Sequence, residues 1–313
     1  MVGRPRARRS TDAAVDRAFA AGAILRTHVL RPTWHFVTPD DIRWMLQLTA
    51  PHVHALNAYQ YRRLELDRAL FRRVRTLFTR ALLDGTQLTR AELAAILRRG
   101  GIVAGGHRLA YIVMHEELDG LICSGALRGK QHTYALLGER APKARTLARD
   151  EALAELALRF FTSHGPATLR HFVWWSGLRV ADAKAGLAMI RRNLTSTMTD
   201  GKTEWFGVPR RGANQAGAAA FLIPEYDEAL VGSRDFGAID LAPAAGRDRW
   251  KDTYYRPVII TGMRAGTWKR TIAKGRVLLE TNLFAALTPA QSRALRVAAE
   301  RYGTFLGLPV SVK

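Results

Sequence analysis

The stretch Leu88–Leu121, LTRAELAAILRRGGIVAGGHRLAYIVMHEELDGL, decides the fold. Leu88-Thr89-Arg90-Ala91-Glu92 starts a helix that runs through Leu97. Gly100-Gly101 and Gly105-Gly106 interrupt the chain before a further helix, His107–Leu121. That helix carries Leu109, Ile112, Val113, Met114 and Leu118 as apolar positions, leaving His107, Arg108, Tyr111 and His115 for another face. Helix, glycine-containing turn and helix at this spacing read as a helix-turn-helix. A helix around Leu66–Leu83 precedes it, and strand-like segments Gly125–Leu127 and His132–Leu136 follow as a wing would. Residues 61–138 are therefore expected to form a complete winged helix-turn-helix.

Outward from this unit the same order recurs. Residues 147–211 hold helices Asp150–Phe161, Thr168–Trp175 and Val180–Ile190, then strands Thr195–Met198 and Thr203–Val208 around Asp200-Gly201, a strong two-residue hairpin signal. Glu139–Thr146, with Pro142, reads as the linker between the two units. On the N-terminal side, residues 11–60 give only part of such a unit. A short helix from Thr11-Asp12 is stopped by Gly22, and β-rich runs Ala23–Leu30 and Thr33–Val37 follow, turning at Arg31-Pro32. Asp40-Asp41 then start a helix that Pro51 is expected to end. Residues 1–10 hold four arginines and no core periodicity, a disordered basic arm that either lies along DNA or stays solvated. Gly212–Ala220 reads as a loop. Residues 221–313 form a small α+β module with strands Phe221–Ile223, Val258–Thr261, Thr267–Ile272 and Val277–Glu280 and a capped final helix Thr288–Gly303. The fold class is α+β, tandem winged helices with this C-terminal module.

The 313 residues include 48 Lys+Arg against 27 Asp+Glu, a net charge of +21. Such a surface attracts phosphate backbones or anionic membranes. The excess is local as well: residues 61–110 hold 11 basic and 4 acidic residues, and residues 241–313 hold 13 and 4. The preference for Arg over Lys also fits the coding bias of a GC-rich genome, whereas the net charge does not reduce to it. A single cysteine, Cys123, in what reads as an apolar helical context, excludes an internal disulfide and is expected to be buried and inert. No uncharged run is long enough to span a membrane, and the N-terminus lacks the apolar region of a secretory signal, so a cytoplasmic protein is expected.

Candidate DNA-contacting residues are Arg26, Arg31 and His35 in the first hairpin, Arg108 on the free face of the third helix, and Lys269 and Arg270 in the C-terminal module. The alternative for the hairpin residues is a solvated edge. Trp174 and Trp175 either stack on bases or, for at least one of them, fill the core. Glu225, Asp227 and Glu228 are the best carboxylates for activating water, but pairing with the abundant arginines suits them better. His52 and His54 have no carboxylate or thiol nearby in sequence, and no glycine-rich phosphate loop or paired cysteine motif is present. No metal, nucleotide or other cofactor is expected.

Five phrases in order carry a wider likeness: Ile24–Thr27 through Arg31–His35, Gly165–Thr168, Trp174–Leu178, Phe221–Glu228 and Ala265–Arg270. Together they resemble the winged helix DNA-binding domain-containing proteins of the AlkZ and YcaQ type over residues 12 to 305. The resemblance implies tandem winged helices that bind duplex DNA in a concave face, some members being DNA glycosylases that release bulky alkylated purines and unhook crosslinks. In those enzymes a Gln–hydrophobic–Gln or Gln–hydrophobic–Asp motif, upstream of the segment corresponding to Arg26–His35, positions the attacking water. None of the six glutamines here, Gln47, Gln60, Gln87, Gln131, Gln215 and Gln291, has Gln or Asp two residues on. The expectation is a monomeric binder of duplex or alkylation-damaged DNA with little sequence preference. A glycosylase, should an upstream motif exist, and a transcriptional regulator are the alternatives.

Overall fold

The computed structural model describes residues 10–199, 201–207, 219–228 and 256–313. The basic arm, save Ser10, and the loop at 212–220, save its last two residues, lie outside them. The chain divides into two compact units, one of Asp16–Phe161 with Ser176–Leu194, the other of Met1–Val15, Thr162–Trp175 and Thr195–Lys313. Segment 147–211, expected as one module, thus supplies residues to both.

In the first unit, α1 (Asp12–Ala20) leads to the hairpin β1 (Leu25–His28) and β2 (Trp34–Val37), antiparallel with Leu25 opposite Val37 and His28 opposite Trp34. All four residues of β1 are buried. Helix α2 spans Ile42–Arg63 and passes through Pro51, which was expected to end it. Proline inside a helix costs about 3 kcal/mol in isolation. Here Ala50 and Val53 are buried with Leu118 and Met114, and Asn57 Nδ2 donates to Met114 Sδ at 3.2 Å, so tertiary burial outweighs the local penalty.

Helix α3 (Arg68–Leu82) is capped by Asp67, whose Oδ1 accepts from the Leu70 amide at 2.7 Å, and it buries Phe71, Val74, Phe78 and Leu82 as one stripe. Strand β3 (Leu88–Thr89) runs into α4 (Arg90–Arg99), where Thr89 and Glu92 form a capping box. Helix α5 (Gly106–Leu118) stops three residues earlier than expected, because Gly120 takes a left-handed conformation (φ +66°) that turns the chain into β4 (Ile122–Ser124). Cys123 therefore lies in a strand and not in a helix. It is buried, and burial pushes its thiol up to about 12. Strand β5 (Thr133–Leu136) completes a three-stranded antiparallel sheet in the order β3-β5-β4. The stretch read as a linker begins with a one-turn helix, α6 (Leu137–Arg140). Helices α7 (Arg149–His164) and α9 (Val180–Ile190) follow, and α8 (Leu169–Ser176), between them in sequence, belongs to the second unit save for Ser176. Gly177 has φ +68°, and a Cβ there would sit 2.4 Å from the Leu30 carbonyl oxygen, so only glycine lets this turn meet the β1–β2 loop.

The second unit contains the hairpin β6 (Thr195–Thr199) and β7 (Lys202–Phe206), whose register leaves the two-residue connection foreseen, with Gly201 at φ +71°. Strands β8 (Ala220–Leu222), β9 (Pro257–Ile260), β10 (Met263–Ala273), β11 (Arg276–Leu283) and β12 (Val310–Val312) form a sheet in the order β12-β11-β10-β9-β8. Helix α10 (Pro289–Leu306) buries Leu295, Ala298 and Ala299 in one cluster with Val258, Ile260, Trp268, Val277 and Leu279 of this sheet. Thr288 and Gln291 cap that helix reciprocally. Strand β12, which pairs parallel to β11, had no sequence signal of its own.

Candidate nucleic-acid interface

The first hairpin is fastened from below by a buried acid. Glu117, in the last turn of α5, has no solvent exposure. Its Oε2 is paired with His28 Nδ1 and accepts from Trp34 Nε1 at 3.2 Å, so one carboxylate oxygen grips both strands. The Arg26 guanidinium lies 4.4 Å from the centre of the Trp34 ring, a cation–π contact. With Arg26, Thr27 and His28 turned inward, the outer side of β2 carries Trp34, 46% exposed, and Phe36, 67% exposed. Exposed aromatics on a hairpin suit wedging or stacking against bases.

Arginines supply the charge. Arg68, Arg72 and Arg80 lie along α3 at spacings of four and eight residues, on one ridge about 18 Å long. Arg62 and Arg63 end α2, and Arg98 and Arg99 end α4. All seven are exposed, and none has a carboxylate within ion-pair distance among the described residues. Arg75, by contrast, is committed to Asp119 at 3.1 Å and Glu116 at 3.6 Å.

The six candidate residues are placed unevenly. Arg26 is buried, so it reaches a DNA surface only through the Trp34 ring it supports. Arg31 is half-buried in the hairpin loop, and half-buried His35 approaches Thr33 Oγ1 through Nε2 at 2.9 Å. Arg108 is half-buried, 3.5 Å from the Glu65 carbonyl. Lys269 pairs across the strands with Glu280 at 3.3 Å, and Arg270 donates to the Tyr302 hydroxyl. Apart from His107, which is exposed, the face of α5 expected to stay open is covered. His115 stacks on Phe71 with centroids 3.4 Å apart, and Tyr111 meets Tyr61 edge-on. The covering residues come from the second half of α2, beyond Pro51, and from Phe71 of α3.

Among the carboxylates, Glu225 lies 3.6 Å from Arg256, while Glu228 receives His164 Nε2 at 3.0 Å and the Trp175 indole N–H. Trp174 is 39% exposed and Trp175 half-buried, so neither fills a core completely. His54 has a carboxylate after all, Asp119, 3.0 Å from its Nε2.

Asp41 is a second buried node that sequence reasoning passed over as a helix start. It accepts from Thr38 (2.7 Å), Trp44 (3.0 Å), Arg145 (3.0 Å) and Arg159 (2.6 Å). Burial opposes its ionisation, yet the bonds from Arg159, Thr38, Trp44 and Arg145 outweigh this and hold the carboxyl well below the usual carboxylate range. A depressed folded-state pKa stabilises above the unfolded value of 3.8, and that stabilisation fades as pH falls through the folded value. Asp41→Asn is expected to cost about 2 kcal/mol at neutral pH, less than a fully buried pair because both arginines are half-exposed. It should also flatten the acid limb of stability below about pH 3.8, measured by urea unfolding across pH; an unchanged acid limb would count against the node.

A family model described as "DNA glycosylase AlkZ-like" matches residues 4–305. The chain belongs to the AlkZ-like DNA glycosylase family. Among solved structures, Streptomyces sahachiroi DNA glycosylase AlkZ is similar in fold, with a TM-score of 0.72 at 20% identity, covering 96% of this chain and 84% of that one. No curated protein matches the chain. Membership of the AlkZ-like family makes DNA repair the setting in which the buried hairpin anchor and the arginine ridge are to be understood. No helix among the described residues is long and apolar enough to cross a membrane.

Proposed function

We propose that this chain binds duplex DNA as a monomer, through tandem winged helices, favouring alkylation-damaged sites with little regard to sequence. The seven exposed arginines without carboxylate partners among the described residues carry the reading, since guanidinium groups at this density have phosphates as their natural counter-ions. The order α3–β3–α4–α5–β4–β5 and its three-stranded sheet support the winged-helix part. A parallel in the second unit adds to it: Ala167, just before α8, bridges Trp205 of β7 as Leu88 and Thr89, just before α4, pair with β5. Sequence tolerance follows from the burial of α5. A helix covered by α2 and by the first hairpin offers few side chains to base edges, and phosphate contacts carry no sequence information.

Anisotropy titrations with two unrelated duplexes, each with and without a 7-alkylguanine, test this. Affinities for the unmodified duplexes should agree within about tenfold, with the lesion bound more tightly. One duplex preferred by ~1,000-fold or more would instead indicate an operator-reading regulator.

Family membership favours a second reading, excision of bulky alkylated or crosslinked purines. Release of free base from the lesion duplex, followed by chromatography at saturating protein, would establish it. No release under those conditions would leave binding as this chain's activity.

A further inference from the structure

Outside the hairpin and the arginine ridge, α2 and α5 bring together His54, His115 and Asp119, with one donor atom from each lying within 4.8 Å of the others. Glu116 joins them, its Oε1 3.1 Å from His115 Nδ1. We propose that these four side chains form a binding site for a divalent transition-metal ion of the zinc class, tying α2 to α5.

The donor set is two imidazoles and two carboxylates, which suits a borderline cation in tetrahedral coordination. Ligand atoms around such an ion stand about 3.4 Å apart for metal–ligand distances of ~2.1 Å. The separations here bracket that value: His54 Nε2 to Asp119 Oδ1 is 3.0 Å, His115 Nδ1 to Glu116 Oε1 3.1 Å, and His115 Nδ1 to Asp119 Oδ2 3.9 Å.

The surroundings orient the rings. His54 Nδ1 is 2.9 Å from the Tyr61 hydroxyl, which can accept from Nδ1–H when Nε2 is on a metal and so orient the ring. His115 is held flat against Phe71.

Charge points the same way. Glu116 is fully buried, and its Oε2 has no hydrogen bond, only the Arg75 guanidinium at 3.6 Å. Among the described residues one guanidinium, Arg75, pairs with the two carboxylates, and with both imidazoles neutral, as metal ligands must be, the carboxylates outweigh it. Arg75 is about half-exposed and free to swing into solvent as the ion enters. His54 and Asp119 also line a cavity of about 260 Å³ with Arg43 and Gln47, which provides a way in.

The test is a Co²⁺ titration of the chelator-treated full-length chain, followed by the visible bands of four-coordinate cobalt and then by displacement with Zn²⁺. One equivalent should bind. The double variant His54→Gln/Asp119→Asn should abolish the signal, Tyr61→Phe should weaken binding about 10–100-fold, and Arg75→Ala should tighten it. Tyr61→Phe and Arg75→Ala keep the proposal open to refutation should the double variant fail to fold. Absence of the bands, bands that survive the double variant, or equal affinity in wild type, Tyr61→Phe and Arg75→Ala would each overturn it.

Discussion

Replacing Glu117 by alanine is expected to destabilise the first unit by about 3–5 kcal/mol, the range for breaking a buried pair and leaving its partners stranded. The carboxylate has no exposure, and His28, which it holds, is buried as well and has no water to turn to. Trp34 is also the ring over which Arg26 lies, so its release removes a second contact from the hairpin. Guanidinium unfolding followed by tryptophan fluorescence measures the loss. Glu117→Gln, which keeps an acceptor for Trp34 but not the charge, should cost less than the alanine. A loss under ~1 kcal/mol for Glu117→Ala would show that the hairpin is held by its apolar residues alone.

Removing Arg68, Arg72 and Arg80 together is expected to weaken duplex binding by a factor on the order of 10²–10³ at ~0.1 M salt. The estimate follows from counter-ion release: three lost phosphate contacts reduce the slope of log K against log salt by about 2.7 in magnitude, and that term scales the affinity directly. The substitutions should leave stability nearly unchanged, since all three side chains are exposed and none has an ion-pair partner among the described residues. Unchanged affinity in the triple variant would remove α3 from the interface and shift attention to the ends of α2 and α4.

Local signals were legible wherever a side chain acts on its own segment. The Thr89–Glu92 box, the Thr288 cap, the β6–β7 connection and the stripe Phe71–Leu82 all follow from spacing alone. What escaped were features decided by distant partners. Pro51 reads as a stop because its local cost is visible, whereas the Ala50 and Val53 contacts that offset it come from Leu118 and Met114, more than 60 positions away. The same long helix helps to cover the face of α5 that reads as free, and His115 on that face is a partner of Phe71 and Asp119. Arg26 carries a charge that composition assigns to phosphate, and only the fold shows it turned toward Trp34. Glu117 left one trace in sequence: an acid beside Leu118 on an otherwise apolar helix face marks a buried carboxylate.

The most direct test of the DNA-binding account is the affinity of the full-length chain for an undamaged duplex across ~50 to 200 mM salt. With six to eight of the exposed arginines and hairpin cations on phosphates, the log–log slope should lie near −5 to −7, with binding well below micromolar at the low-salt end. A salt-independent affinity, or one weaker than micromolar at ~50 mM, would contradict the account.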